Sequence, residues 1–175
     1  MTPLCPLLLD ACSVFELHRR GAWDLLVLTR RIIVPSIVAR DEAFWTERES
    51  KTLIIDLPSL IADHTIDEVE VDLSVMAEVL SQFDNVFRES LHDGEIEALA
   101  YLLTIEDAMD FSTADAGAIY AAVMLGLGHR LVSLETVLRL VGLGRSLDSK
   151  FCDDYLARNR TIGSRKFITR EGFRK

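Results

Sequence analysis

The chain lacks several features that would assign it to a common class of protein. None of its apolar runs approaches the roughly 20 residues that a membrane-spanning helix needs. The first twelve residues contain no lysine or arginine, and Asp10 interrupts their apolar run, so we expect no secretory signal and no membrane partner. Cysteine is scarce, and its spacing does not suit a metal site, which predicts reduced thiols in a cytoplasmic protein. The three residues are Cys5, Cys12 and Cys152.

Missing motifs also count against three classes of α/β protein. No glycine-rich turn follows the first apolar run, as a dinucleotide-binding fold requires. A phosphatase of the haloacid-dehalogenase type needs a second aspartate two residues after the first, and here that position is Cys12. A receiver-type signalling domain needs a lysine near its last strand, and no lysine occurs between Lys51 and Lys150.

Charge is distributed unevenly along the chain. The 175 residues carry a formal net charge of −9, but residues 158–175 contain seven basic residues and one acidic one. We therefore predict a domain at residues 1–157 and a basic C-terminal tail at 158–175. Such a tail suits contact with nucleic acid, a fold back onto the acidic body, or a solvated, disordered end.

Apolar runs alternate with segments of helical spacing almost throughout the chain. This alternation predicts a three-layer α/β/α fold with a central parallel sheet. The segment 64–71 reads either as a strand or as an ordered loop. The other predicted strands are 4–9, 31–35, 52–58, 108–113 and 129–133, and the predicted helices are 12–20, 22–29, 36–48, 72–87, 93–107, 114–128, 134–144 and 149–159.

Acidic residues stand where a site would form in such a fold. Asp10 ends the first predicted strand and Asp115 follows the strand 108–113, so both lie at the carboxyl edge of the sheet. Either residue alone is equally explained as the cap of the following helix. Glu95 and Glu97 open a helix and point about 200° apart, with Glu95 nearer the predicted buried side. Asp41 lies within the predicted helix 36–48.

Five motifs, in order, carry a resemblance to a known family. The resemblance covers about Leu4 to Gly144, and the motifs read "LLLDACSVFEL", "VPSIVARD", "GEIEALAYLL", "FSTADAGAIYAA" and "MLGLGHRLVSLETVLRLVG". The order and separation of these motifs resemble those of the PIN-domain nucleases, in the subset that has a glycine–glutamate helix. The chain departs from the family pattern in three places. Cys12 stands where a hydroxyl or amide residue is usual, Ala114 replaces one of two paired aspartates, and Ile119 replaces an arginine.

The resemblance implies a ribonuclease that hydrolyses single-stranded RNA with Mg²⁺ or Mn²⁺. Hard cations of this kind prefer oxygen ligands, and they make a cluster of carboxylates tolerable. By the resemblance, Asp10 and Asp115 bind the first metal, Glu95 or Glu97 completes its shell, and Asp41 holds a water or a second metal. We therefore expect Asp10, Asp41, Asp115 and one of the two glutamates to share a pocket.

The resemblance also suggests partners. Ser13 and Thr113 are candidate hydroxyl contacts to nucleic acid, and the phosphates would be held by the basic tail with Arg19, Arg20, Arg30 and Arg31. Bacterial relatives include toxins that a small antitoxin neutralises, and an exposed part of the apolar helix 72–87 would suit an antitoxin or a homodimer. The alternative is a PIN-like binding module with a weakened metal site that acts through a protein partner.

Overall fold

A four-stranded parallel sheet forms the centre of the protein. The computed structural model describes residues 4–144 and 146–174. Strand β1 lies in the middle of the sheet, and its neighbours are β2 and β6, with β5 beyond β2. The strands are β1 (Leu7–Leu9), β2 (Ile32–Pro35), β5 (Asp67–Val69) and β6 (Asp110–Ser112).

The central strand is buried on both faces, as its continuous apolar run predicts. Leu7, Leu8 and Leu9 have no exposed surface. Leu8 packs into a core with the helices on one side of the sheet, while Leu7 and Leu9 pack into a second core on the other side. The predicted three-layer α/β/α arrangement is therefore confirmed.

The helices form the two outer layers. One layer contains α1, α2, α3 and α8, and the other contains α4, α5, α6, α7 and α9. In the part of the chain that the structure describes, no helix is long and apolar enough to cross a membrane. The helices are α1 (Ala11–Arg19), α2 (Trp23–Thr29), α3 (Leu57–Ala62), α4 (Leu73–Ser81), α5 (Asn85–Arg88), α6 (Asp93–Thr104), α7 (Ala116–Met124), α8 (Leu134–Leu140) and α9 (Asp153–Thr169).

The predicted helix 36–48 is wrong. It is replaced by a π-helical turn at Val38–Glu42 and a strand, β3 (Trp45–Arg48), which pairs antiparallel with β4 (Lys51–Ile54). The two residues of the connecting turn, 49 and 50, both have positive φ, the conformation that tight hairpin turns require. The apolar residues of this segment therefore belong to a hairpin that packs on α1. Of the predicted strand 52–58, only residues 52–54 are in a strand, and that strand belongs to the hairpin and not to the main sheet, because α3 begins at Leu57.

Two other predicted elements also differ, and the structure decides one that the sequence left open. The predicted strand 129–133 is a 3₁₀ turn at Gly128–Arg130, followed by a single parallel bridge between Leu131 and Phe111. The predicted helix 72–87 breaks into α4 and α5, because the side chain of Asp84 caps a new helix by accepting a hydrogen bond from the Phe87 N–H. The ambiguous segment 64–71 contains β5, the edge strand of the main sheet.

The last helix is longer than predicted. Helix α9 continues past Asn159 to Thr169, so it crosses the expected boundary between residues 157 and 158 without a break. It packs along α7, where Tyr120 donates a hydrogen bond from its hydroxyl to Asn159 Oδ1. After α9 the chain turns back, and the buried ring of Phe173 packs against Phe83. The described part of the basic tail is therefore ordered against the body.

We predict that Gly163 is required for the contact between α7 and α9. A Cβ atom on Gly163 would lie 2.9 Å from Val123 Cβ and 3.3 Å from Tyr120 Cα. Replacing Gly163 by alanine should lower the free energy of unfolding by about 1–3 kcal/mol, despite the better helix propensity of alanine. Urea unfolding measures this loss. The matched control is Gly144→Ala, whose added Cβ meets no atom of the described residues within 4 Å and should be close to neutral. Equal stability of the two variants would contradict a tight α7–α9 contact.

Candidate active site

Four carboxylates line one pocket at the carboxyl edge of the sheet. Strands β1 and β6 are parallel neighbours, so Asp10 and Asp115 emerge side by side where the two strands end. Glu42 and Glu95 line the same pocket from the π-helical turn and from the first turn of α6. The pocket has a volume of about 440 Å³ and is completed by Ala11, Cys12, Phe15, His92, Ala114 and Lys150.

Asp10 is the most buried of the four, with 3% of its surface exposed. Its Oδ1 accepts a hydrogen bond of 2.9 Å from the Ser13 N–H at the start of α1. Its Oδ2 accepts from the hydroxyl of Thr113 and from the thiol of Cys12. Burial raises the pKa of Asp10, and these donors oppose that rise by stabilising the ionised form.

Glu95 and Asp115 each bind a helix N-terminus with one oxygen. Glu95 Oε2 accepts from the His92 N–H at 3.0 Å, and Asp115 Oδ1 accepts from the Ala118 N–H at 3.0 Å. Burial, and then the negative charge of Asp115, raises the pKa of Glu95 from 4.5 to about 8. Among the described residues, no hydrogen-bond donor contacts the other oxygen of either carboxylate.

The pocket contains Glu42 where the sequence predicts Asp41. Asp41 is exposed and does not line the pocket. The five residues Val38–Glu42 form a π-helical turn closed by a hydrogen bond from the Ala43 N–H to the Val38 carbonyl. Asp41, which the resemblance selects by its spacing after Pro35, therefore lies on the solvent side of this turn, and Glu42 lies on the pocket side. Glu42 Oε1 accepts from the Gly94 N–H at 3.2 Å, and burial raises the pKa of Glu42.

Gly94 makes this approach of Glu42 to α6 feasible. A Cβ atom at position 94 would lie 2.6 Å from Glu42 Oε2 and 2.8 Å from Val38 Cγ2. The glycine of the "GEIE" motif therefore gives room for a second carboxylate beside Glu95. An acid after Asp41, paired with a glycine directly before Glu95, is the sequence signal that identifies Glu42.

Glu97 lies outside the pocket. Only 1% of its surface is exposed, and both of its oxygens accept hydrogen bonds. Its donors are the Ser36 hydroxyl at 2.7 Å, the Ile37 N–H at 2.8 Å and the Val71 N–H at 3.3 Å. Glu97 therefore joins α6 to the segments after β2 and β5. Of the two glutamates between which the sequence left the choice open, the structure places Glu95 in the pocket.

Ser13 and Thr113 face the protein and not a bound strand. Ser13 has no exposed surface and donates to the Ser112 carbonyl at 2.9 Å. Thr113 is buried, donates to Asp10 and accepts from the Asp115 N–H at 3.0 Å. The prediction that they contact nucleic acid does not agree with this burial. Their contacts hold Asp10 and Asp115 in place.

The arginines predicted to hold phosphates are paired within the protein. Arg19 and Arg20 both contact Glu16. Arg30 is 4% exposed and pairs with Asp110, and Arg31 pairs with Asp67. None of these four lines the pocket, where Lys150 and His92 are the basic residues.

The chemistry of the pocket fits a hard divalent cation. Its candidate ligands are four carboxylates, and oxygen ligands of this kind suit Mg²⁺ or Mn²⁺. In the described residues, however, no group of three or more His, Cys, Asp or Glu side chains stands ready to hold a metal ion. The carboxylates line the walls of the pocket, each with at least one oxygen held by a backbone N–H.

We predict that Glu95 makes the metal-free protein less stable at alkaline pH. A carboxyl whose pKa is raised on folding stabilises the protein while it is protonated, and this contribution is lost as the pH rises from 4.5 through about 8. In EDTA at pH 8.5, Glu95→Gln should therefore be more stable than the original chain by about 1–3 kcal/mol, with a smaller difference at pH 5. Urea unfolding across this range tests the prediction, and Glu78→Gln on the exposed face of α4 is the control. A difference independent of pH would contradict it.

Comparison with known proteins does not assign a family. A scan against protein-family models finds no match to this chain. A search of curated proteins finds no significant match either. Any function proposed for this chain therefore has to start from its residues and from the geometry of the pocket.

Proposed function

We propose that the protein is a Mg²⁺- or Mn²⁺-dependent endoribonuclease that hydrolyses phosphodiester bonds in single-stranded RNA. One observation carries the proposal: Asp10, Glu42, Glu95 and Asp115 line a single pocket although they come from four separate segments. Burial, and then the negative charge of Asp115, raises the pKa of Glu95, and a divalent cation would offset both the burial of charge and the repulsion. The resemblance of the chain to PIN-domain nucleases adds the choice of substrate.

Each carboxylate has a role in this proposal. A bound divalent ion supplies a more acidic water and neutralises charge on the phosphate. Asp10 and Asp115 would hold the ion from the two central strands, and Glu95 would complete its shell. Glu42, held against the N-terminus of α6, would orient a water or bind a second ion. Lys150, at the rim, would attract the phosphate backbone into an otherwise acidic pocket.

The proposal extends to location and partners. A cytoplasmic ribonuclease of this type would act as the toxin of a toxin–antitoxin pair, with a small antitoxin protein as its inhibitor. A homodimer is the other protein assembly that we propose. The exposed apolar residues Leu73 and Val86, on α4 and α5, support a contact of either kind because each is 80% exposed.

The second candidate is a PIN-like binding module that acts through a protein partner. Two observations favour it: Ala114 stands in place of an acidic residue at the pocket, and the carboxylates do not form a compact ligand group among the described residues. The two candidates differ in one measurable property, because only the nuclease requires a metal ion that is bound by these four residues.

We predict that Mn²⁺ stabilises the protein through the pocket. At a concentration well above its dissociation constant, the ion should raise the melting temperature by about 3–6 °C. Asp10→Asn should remove most of this shift because it removes a ligand, while Asp41→Asn should retain it because Asp41 lies outside the pocket. Differential scanning calorimetry with and without Mn²⁺ measures the shift. An equal shift in all three proteins would place the ion elsewhere.

We predict that cleavage depends on Glu42 and not on its neighbour. With Mn²⁺ and a labelled single-stranded RNA, Glu42→Gln should lower the cleavage rate by about 100-fold or more, and Asp41→Asn should lower it less than about threefold. Single-turnover gel assays measure both rates. The two substitutions are adjacent and remove the same charge, so each controls for the other.

The outcome also separates the two candidates. RNA bound but left uncut by the original chain, at any concentration of Mn²⁺ or Mg²⁺, would favour the binding module. Equal loss of cleavage in both variants would contradict the assignment of Glu42 to the site.

A further inference from the structure

We propose that the C-terminal turn and α5 form an RNA-binding surface separate from the carboxylate pocket. We call it the C-terminal basic face and define it by Arg88, Phe167, Arg170, Phe173 and Arg174. The choice of RNA as its ligand rests on the function proposed above. Its location rests on the charges, the exposed ring of Phe167 and the grooves described next.

The C-terminal basic face contains cations that are not neutralised by the protein. Within the described residues, Arg88, Arg170 and Arg174 make no salt bridge. Many cations elsewhere do pair with a carboxylate: Arg19, Arg20, Arg30, Arg31, Arg40, Arg48, Arg139 and Lys166. Because the rest of the chain is strongly acidic, a polyanion is attracted mainly where positive charge is uncompensated.

Aromatic rings lie among these cations. The guanidinium of Arg170 stacks over the buried ring of Phe173, with its carbon 3.9 Å from the ring centroid, so the outer face of the guanidinium, and not the Phe173 ring, is open to a base. Phe167 is 48% exposed and meets Phe173 edge to face. Unpaired bases stack on aromatic rings and on guanidinium planes, while arginines bind the phosphates between them. This combination suits a single strand better than a duplex, whose bases are already stacked.

Two adjoining grooves give the surface its shape. One, of about 440 Å³, is lined by Arg88, Phe173 and Arg174 together with Asn85, and the other, of about 460 Å³, is lined by Phe167 and Arg170. The two grooves share Phe173 and Arg174. Asp84 is the acidic residue that lines the first groove, and one of its oxygens is already held by the Phe87 N–H.

The surface is fixed in position before any ligand binds. The Arg174 N–H donates to the Gln82 carbonyl at 2.9 Å, and the Asp84 N–H donates to the Gly172 carbonyl at 2.9 Å. These two hydrogen bonds tie the C-terminal turn to the segment between α4 and α5. A preformed surface loses less conformational entropy on binding than a mobile tail does.

The C-terminal basic face lies near the pocket along the chain. Arg88 ends α5, and His92 lines the pocket four residues later, so their Cα atoms are at most about 14 Å apart. A single strand several nucleotides long can span the distance from Arg88 to the pocket. The basic face would anchor the strand by its phosphates, and the acidic pocket would receive the segment to be cut.

The test measures RNA binding without cleavage. A fluorescein-labelled 15-nucleotide oligouridylate is titrated in EDTA with the original chain and with Arg170→Gln/Arg174→Gln, by anisotropy at several salt concentrations. The double variant should bind about 5- to 20-fold more weakly, and the slope of log K against log salt should fall by about 1.4, or 0.7 for each phosphate that the protein no longer neutralises. The single variant Arg174→Gln, which changes only an exposed side chain, should give about half of the change in slope.

The matched control removes two positive charges from another surface. Arg48→Gln/Lys51→Gln changes an exposed cross-strand pair of the β3–β4 hairpin and should leave affinity and slope nearly unchanged. Equal effects of the two double variants, or no effect of either, would overturn the inference, as would binding of an acidic peptide but not of RNA by the original chain. Cleavage is assayed separately with Mn²⁺. If Arg170→Gln/Arg174→Gln weakens RNA binding but the original chain cleaves no RNA, the proposed nuclease is rejected and the proposed surface is kept. If the original chain cleaves RNA but the double variant binds as tightly as the original chain, the surface is rejected and the nuclease is kept.

Discussion

The buried carboxylate of Asp10 is the interaction on which the rest of the site depends. It ends β1, caps α1 through the Ser13 N–H and accepts from Thr113 at the end of β6. One side chain therefore joins the two strand–helix junctions that face each other at the centre of the sheet. A carboxylate buried without such donors would destabilise the fold by several kcal/mol. Both oxygens of Asp10 accept hydrogen bonds, and the donors are its neighbours Ser13, Cys12 and Thr113. These contacts explain why two hydroxyls beside a candidate active site do not face outward into it.

The other carboxylates of the pocket also accept hydrogen bonds from N–H groups at helix N-termini. Glu95 and Glu42 both accept hydrogen bonds from N–H groups at the start of α6, and Asp115 accepts one at the start of α7. Negative charge is stabilised at helix N-termini by the unpaired N–H groups and the helix dipole. The N-termini of α1, α6 and α7 therefore partly offset the repulsion among the four carboxylates. The compensation is incomplete, because the pKa of Glu95 is still raised to about 8. The burial of this acid beside the charge of Asp115 is the physical reason to propose that the pocket binds a cation, and it does not depend on any resemblance to a family.

The sequence predicts the site best where a strand ends and worst where the backbone departs from regular geometry. The alternation of strands and helices predicts the positions of Asp10 and Asp115, because the carboxyl ends of neighbouring parallel strands lie at the same edge of the sheet. The helical angle of Glu95 also indicates the correct side of α6. Glu42 is missed because a π-helical turn is not visible in an apolar pattern, and the β3–β4 hairpin is missed because short apolar runs suit a helix and a strand equally. The buried role of Glu97 depends on backbone groups of two distant segments, Ile37 and Val71, which no local pattern can identify.

The distribution of charge connects the pocket to the C-terminal helix. An acidic pocket repels nucleic acid until a cation is bound, so affinity for a polyanion has to come from elsewhere on the surface. In the proposed division of roles, helix α9 would connect the two regions, because it begins near the pocket and ends at the turn that carries Arg170 and Arg174. Burial and the nearby charge of Asp115 raise the pKa of Tyr155 in its first turns, which places the start of α9 within electrostatic reach of the pocket. If binding and chemistry are divided in this way, salt would weaken the anchoring of the strand through its phosphates, whereas pH would act mainly through the carboxylates. The two variables then report on two separate surfaces of one small domain.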